Sequence, residues 1–477
     1  MSTEGPASLK GKKYPAKEHN TRVLSHFKEK KLLKLAETLA FFMSGEDLEL
    51  WQYCDQTKPI RQNRYFYYLS GVEIPGSHVL FDAANDKLTL FLPDIDYDDV
   101  MWSGMPLLPE EALKKYDVDE VKYAADLEKV VGALAEAKYT IHTTDHNKWN
   151  KRVLHLLTEQ DPDFFHALDE ARLIKDWYEI ELMRHASAIT DKCHLAVMLA
   201  TPIESNETHI HAEFMYHALR QGSKYQLYDP ICCSGPNCST LHYVKNDDEI
   251  DNKRSVLIDA GAEWSCYASD VTRCFPINGD WTEEHLTIYN LVLDMQRKTM
   301  DMIKPGAHWD EIHLTAHRVM IKEFLRLGIF KKEYSEEEIF ESSISARFFP
   351  HGLGHVLGMD THDVGGRPDY NDPDPKLRYL RLRRELKEGM VLTDEPGVYF
   401  SPFLLKDVLE DPKKAKYINK DVLAKYWYIG GVRIEDDLLI TKDGFENFTK
   451  ITSDPHEISK IIKESSAQGK ERFHNVV

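Results

Sequence analysis

No apolar run in this sequence approaches the ~20 residues that a bilayer-spanning helix requires, so no membrane span is expected. The opening stretch, MSTEGPASLKGKKYPAK, lacks the apolar centre of a signal peptide, and the final ERFHNVV carries no lipidation motif. Cysteine is scarce and unpatterned. Its seven copies (residues 54, 193, 232, 233, 238, 266 and 274) are an odd number without Cys-x-x-Cys spacing, which excludes a disulfide framework and disfavours structural zinc. These absences point to the reduced cytoplasm. Clustered positive charge is also missing. Asp and Glu number 79 against 60 Lys and Arg, a net charge of −19, and the one compact basic tract, KEKKLLK at Lys28–Lys34, reads as a solvated helix face. Phosphate neutralisation needs grouped cations, so nucleic acid is not an expected partner.

What remains is ordinary for a globular chain, with 42% apolar and 29% charged residues. A length of 477 residues allows more than one core. Residues 1–15 read as a short flexible arm. From 16 to about 170 an α/β pattern follows: a helix over EHNTRVLSHFKEKKLLKLAETLA, then strand-like LAFFM, NRYFYYLSG, SHVLFDA and KLTLFLP. The last two suggest a hairpin around Ala84–Asp86, and VVGALAEAKYTIHTT reads as helix then strand. Residues 171–477 contain long amphipathic helices, one of them stopped by Gly328, and between them strands carrying unusual acids and histidines.

The first such strand region is SVLIDAGAEWSCYASDVTRCFPI, where Asp259 and Asp270 stand in apolar, strand-forming company. An unpaired carboxylate there would cost several kcal/mol or neutralise. Their odd separation puts them on opposite faces of one straight strand. A chain reversal around Trp264–Ser265 would instead make them neighbours on one face, and two acids so close require a cation. A surface acid pair at a hairpin mouth also satisfies this stretch taken alone.

A second cluster, FFPHGLGHVLGMDTHDVGG, contains His351, His355 and His362. Gly352 and Gly354 disfavour a helical zinc motif, and the glycines read as allowing close backbone approach to a ligand. By contrast His313 and His317, spaced i,i+4 in HLTAH, have no acidic partner in their motif and read as surface or packing histidines. Glu395 ends the apolar strand of GMVLTDEPGVYF, and Glu435 follows two glycines in GGVRIEDDLLIT. Alternation sets Arg433 and Glu435 on one face and Asp436 on the other. Four carboxylates and one imidazole are too oxygen-rich for structural zinc. They suit a pair of harder divalent ions such as Mn2+, held close together for metal-assisted hydrolysis.

The ordered set Asp259, Asp270, His355, Glu395 and Glu435 resembles the metal site of the pita-bread metallopeptidases, which include methionine aminopeptidase, aminopeptidase P and prolidase. CSGPNCSTLHY, FFPHGLGHVLGMDTHDVGG, LTDEPGVYF and GGVRIEDDLLIT resemble the branch that cleaves Xaa-Pro bonds, namely aminopeptidase P and prolidase. The likeness spans roughly residues 170–450, and a weaker one covers the N-terminal half. It implies an α/β N-terminal domain joined to an α+β pita-bread catalytic domain, two divalent ions, proline-containing peptide substrates and a possible homodimer. By the same resemblance Asp259 would bind one metal, Asp270 and Glu435 would bridge, and His355 and Glu395 would bind the second. Glu395 would also shuttle the proton from the attacking water to the leaving nitrogen. His242, His351, His362 and Arg381 would contact substrate or transition state, and Arg433 would support the charge of the cluster from behind. Ser401–Tyr428 resembles an insertion of eukaryotic prolidases. Asp394 departs from the pattern, standing where the branch often has an apolar residue, and alternation should turn it away from Glu395.

Other readings of the scaffold are a non-catalytic binding protein, a creatinase-like amidinohydrolase or a phosphotriester-cleaving relative. The complete ligand set opposes the first two. The motifs leave aminopeptidase and dipeptidase activity close to even, with a slight lean to the aminopeptidase.

Overall fold

The structure is a computed structural model that describes residues 5–31, 38–144 and 151–467. The chain forms two compact units, one of Ser8–Leu173 and one that runs from Ile174 onward and includes residues 5–7. Residues 32–34 of the basic tract and the terminal ERFHNVV lie outside the described residues.

In the first unit β1 (Leu39–Ser44), β2 (His78–Asp82), β3 (Lys87–Leu92), β4 (Glu120–Tyr123) and β5 (Thr140–His142) make one sheet, ordered β4-β3-β2-β1-β5. The central pairs are antiparallel and the outer two parallel. Alternation along β1 explains the layers. Ala40 and Phe42 join Leu80, Phe91, Val131 and Ile141 in a core on one face. Phe41 points the other way, its ring 4.9 Å from Phe164 and 5.9 Å from Phe27, on the helices Pro162–Leu173 and Ala16–Lys31. A sheet apolar on both faces is covered on both, which defines an α/β unit. The β2–β3 connection turns at residues 83–86, where the Asp82 carboxylate accepts the Ala84 and Asn85 amides.

Two expectations fail here. RYFYYLS, strand-like by its aromatic content, is the helix Arg64–Ser70. Asn63 caps its start by accepting the Phe66 amide, and Gly71 ends it at φ 68°, so capping chemistry and full burial override β-propensity. Residues 8–15 are not a free arm either. Leu9 and Tyr14 are buried, and the Tyr14 ring packs 4.9 Å from His19 and 5.3 Å from Tyr67.

The second unit positions the acids. Strands β6 (Ile231–Ser234), β7 (Ser255–Asp259), β8 (Glu263–Trp264), β9 (Tyr267–Ala268) and β10 (Thr272–Pro276) come first. β11 (Val391–Asp394), β12 (Gly397–Tyr399), β13 (Gly431–Arg433), β14 (Asp436–Ile440) and β15 (Phe445–Asn447) follow. Helices Trp177–Ala200, Glu207–Arg220, Glu283–Met300 and Trp309–Leu327 accompany them, the last ended by Gly328 at φ 77°. Helix Trp177–Ala200 is bonded to the strands directly. Thr190 Oγ1 accepts the Ala262 amide at 2.8 Å, and His194 Nε2 lies 3.0 Å from the Ala260 carbonyl.

One antiparallel register runs from Ser255↔Pro276 through Asp259↔Thr272 to Trp264↔Tyr267. The reversal falls at Ser265–Cys266, both at positive φ (48° and 65°), as a two-residue hairpin turn demands. That is one residue later than expected. Moving the centre by one residue moves every pairing by two, which preserves the face. Asp259 therefore sits opposite Thr272, with Asp270 as its diagonal neighbour on the same side. Gly261 lies opposite Asp270, where a Cβ would come within 1.6 Å of the Ser269 carbonyl oxygen.

A second register runs from Val391↔Leu439 to Tyr399↔Gly431. It sets Glu395 opposite Glu435 in the gap between the two short sheets. The Glu435 amide then donates to Thr272 O at 3.2 Å, joining the two ladders.

Candidate metal centre

The five expected ligands converge. Donor atoms of Asp270, His355 and Glu435 all lie within 4.8 Å of one another. His355 Nε2 is 3.5 Å from Asp270 Oδ2 and 3.4 Å from Glu395 Oε1. Asp259 and Asp270 share one neighbour, the Tyr228 hydroxyl, at 2.8 and 2.5 Å. All five line one cavity of about 560 Å³, together with His242, His351, His362, Arg381 and Arg433.

Local chemistry explains how His355 arrives. The glycine-rich loop lies against the end of β11 and the Glu395 that follows it, with the Thr393 amide donating to His355 O and the Glu395 amide to Leu353 O. A Cβ on Gly354 would sit 2.0 Å from Thr393 O, and one on Gly352 would sit 3.0 Å from Tyr379 O. These glycines permit close approach of backbone to backbone, and both also line the cavity, where the expected approach to a ligand stays open. The His355 ring meets His362 edge-on at 4.5 Å. Beyond His362, Lys175 Nζ and Asp363 Oδ2 form a 2.8 Å ion pair with each side chain 1% exposed, filling the space that Gly358 leaves free.

Arg433 faces the cluster as alternation required. Its Nη2 donates to Asp259 Oδ2 at 2.6 Å, its Nε to Thr272 Oγ1 at 3.1 Å and its Nη1 to Tyr399 Oη at 2.8 Å. Tyr399 Oη is also 2.8 Å from His351 Nε2. Asp436 points the other way, to Arg273 at 2.8 Å, and Asp394 turns to Thr299 Oγ1 at 2.9 Å. His313 and His317 are packing residues, fully buried. His313 accepts the Leu353 amide, and His317 Nδ1 lies 3.0 Å from Ser345 Oγ.

Sequence reasoning missed four residues. Tyr228 gave no local signal. Thr272, whose hydroxyl donates to Glu435 Oε2 at 2.6 Å, could have been found from its even spacing to Asp270. Tyr399 lies inside a motif already singled out. Asp437 shares parity with Glu435 and accepts the Asp270 amide at 3.1 Å and the Ser269 hydroxyl at 2.8 Å.

Electrostatics test whether this set suits metal. Burial pushes Glu395 up to about 7, with Asp270 and Asp259 adding to the shift and His355 and Arg433 opposing it. Burial and the neighbouring acids drive Glu435 well above the carboxylate range, and Asp259 is raised mainly by burial. Burial pushes Asp270 up, but the bond and charge of His355, the Tyr228 hydroxyl and His362 together leave it depressed. Three raised acids beside one guanidinium and one imidazole are short of positive charge. Divalent cations would supply it, and the oxygen-rich donors fit them.

Fold and donor set define a metal-dependent hydrolase. Residues 181–442 match the model of metallopeptidase family M24, and residues 25–142 match that of the aminopeptidase P N-terminal domain. The chain belongs to metallopeptidase family M24, and its second unit has the pita-bread fold. An uncharacterised peptidase of Saccharomyces cerevisiae is 56% identical over 99% of this chain and 89% of its own length. A probable Xaa-Pro aminopeptidase of Botryotinia fuckeliana is 45% identical over 98% of this chain and all of its own. Among solved structures, aminopeptidase PepP of Pseudomonas aeruginosa superposes with a TM-score of 0.79 at 27% identity, covering 95% of this chain and 99% of that one. Zinc-substituted aminopeptidase P of E. coli, solved with product, gives 0.77 at 27% identity over 95% and 99%. No helix among the described residues is long and apolar enough to cross a membrane, and the cysteines there are free.

Proposed function

We propose that this chain hydrolyses the peptide bond preceding proline, with two divalent ions, Mn2+ in the cell, and acts foremost as an Xaa-Pro aminopeptidase. The observation that carries the reading is the buried cluster of four carboxyl groups and one imidazole at the wall of a 560 Å³ cavity. The full-length likeness to probable Xaa-Pro aminopeptidases supports the choice of bond.

Asp259 would hold one ion and His355 and Glu395 the other, with Asp270 and Glu435 shared. When bound, the ions supply an activated water and polarise the scissile carbonyl. The remaining work belongs to the chain. The Glu395 carboxyl faces His355 with Oε1 and His351 with Oε2, at 3.4 and 3.8 Å. From there it carries the proton of the attacking water to the proline nitrogen, which leaves poorly until protonated. Arg433 orients Asp259 directly and His351 through Tyr399, which fixes both before substrate arrives. His242, His351, His362 and Arg381 contact the peptide along the cavity. We also propose a homodimer, the assembly that the resemblance implies and that light scattering during gel filtration tests, and a cytoplasmic location.

Stripping the protein with chelator, restoring Mn2+ and comparing Xaa-Pro dipeptides with Xaa-Pro-Yaa tripeptides tests the reading. Faster turnover of tripeptides supports the aminopeptidase, the reverse supports a dipeptidase, and cleavage of neither overturns the proposal.

A further inference from the structure

Outside the ligand set lies a buried acid, Glu207, that has no part in the mechanism. Glu207, the first residue of helix Glu207–Arg220, has no exposed surface. A carboxylate so placed needs several donors, and it has them. Its Oε1 accepts from Ser234 Oγ at 2.6 Å and from Asn237 Nδ2 at 3.1 Å, with Lys253 Nζ 3.7 Å away. Its Oε2 accepts the Asp248 amide at 3.0 Å, and the Tyr243 hydroxyl also bonds to the group.

These partners are the last residue of β6, Ser234, and residues of the connection that follows it to β7. Ser234 and Asn237 are where that connection leaves the sheet, and Asp248 and Lys253 are where it returns. The return is fastened further to the same helix start. The Glu207 amide donates to Asp248 O at 2.9 Å, the Ile250 amide to Ser205 O at 2.9 Å, and Thr208 Oγ1 to Asn246 O at 2.7 Å. Both ends of the loop are thus drawn to one carboxylate. At its tip Val244 is 52% exposed, and Leu241, His242 and Val244 line the cavity that contains Asp259 and Asp270.

We infer that Glu207 is a positioning residue for the substrate: it clamps the two ends of the 235–254 loop and thereby sets where His242 meets the peptide. The inference deepens the proposed function and rests on it. The acids stand on strands that Glu207 does not touch, so its loss acts on binding rather than on the chemical step.

Glu207→Gln keeps the shape but turns a donor toward a donor, whichever way its amide is oriented. On an Xaa-Pro-Yaa tripeptide with Mn2+ present, KM rises about tenfold while kcat stays within about threefold of wild type. On a His242→Ala background the same change moves KM less than about twofold, because the residue that Glu207 places is already gone. Hydrogen exchange of residues 236–248 accelerates, and that of the β7–β10 hairpin does not. Glu207→Asp restores part of the KM. A merely structural role would lower the active fraction at constant KM, and that result, or full additivity with His242→Ala, overturns the inference. Asn237→Ala, which removes one donor, repeats the test at smaller amplitude if Glu207→Gln does not fold. A wild-type chain inactive on the peptide overturns the proposed function instead, while unaltered loop exchange in Glu207→Gln overturns the clamp, so the two failures read separately.

Discussion

Glu395 and Glu435 face each other across a break between two short antiparallel ladders whose register is continuous on either side of it. Like charges directly opposite destabilise a sheet, and here the pairing stops at those residues. The same happens in the first hairpin, where pairing stops after Asp259↔Thr272 and resumes at Glu263↔Ala268, which leaves Asp270 in the gap. In both, the ladder is interrupted where side chains must converge on something other than the facing strand.

Asp270 is in contact with more of the cluster than any single strand neighbour explains, being close to His355 and Tyr228 and anchored through its amide by Asp437. Asp270→Asn is expected to abolish peptide hydrolysis and reduce bound metal together. Metal analysis beside activity checks this. An active, metal-replete variant would refute the shared-ligand role.

Thr272 donates to Glu435 and receives from Arg433, so it orients a ligand without being one. Thr272→Val removes both bonds at nearly constant volume. Metal affinity or kcat/KM should fall about 10–100-fold. Titration of the stripped variant with Mn2+, followed by intrinsic fluorescence, measures the loss.

Lys175 and Asp363 are a buried ion pair beside the His362 loop. Breaking such a pair from one side leaves an uncompensated charge and costs about 3–5 kcal/mol. Lys175→Met should lower the urea midpoint accordingly. Lys175→Met with Asp363→Leu should recover most of that loss, and equal destabilisation of both variants would count against the pair.

Acid should weaken both units. His78 in the first has its pKa lowered to about 4 and His285 in the second to about 3, each by burial, against an ordinary value of 6.5. The unfolded chain takes up these protons first. Stability is therefore complete above about pH 6.5, falls as pH drops below it and levels off near each folded value. By pH 5 each histidine should account for about 2 kcal/mol. Urea unfolding at pH 7.5 and 5 measures the drop, and His78→Gln should flatten its share.

Much of the candidate site was legible because strand parity is a strict rule. The faces of Arg433, Glu435 and Asp436 followed from alternation, and a reversal near Trp264 followed from requiring two acids on one side. The exact centre of the turn did not follow, because Ser265–Cys266 carries no glycine or asparagine to mark positive φ. Helix Arg64–Ser70 was misread for a related reason. Its aromatic content argues for a strand, and only Asn63 and Gly71 at its ends argue for a helix.

By itself the sequence determined the donor types, their order and the faces on which they stand, since these depend on residue chemistry and the two-residue period of a strand. Tertiary structure alone decided that Tyr228 reaches both aspartates, that Thr272 serves Glu435 across 163 positions of chain, and that Glu207 gathers the ends of a loop. Hydrogen bonds between residues so far apart leave no periodic trace in a single chain. They exist only once the ladders and helices have packed, and packing is a property of the whole fold.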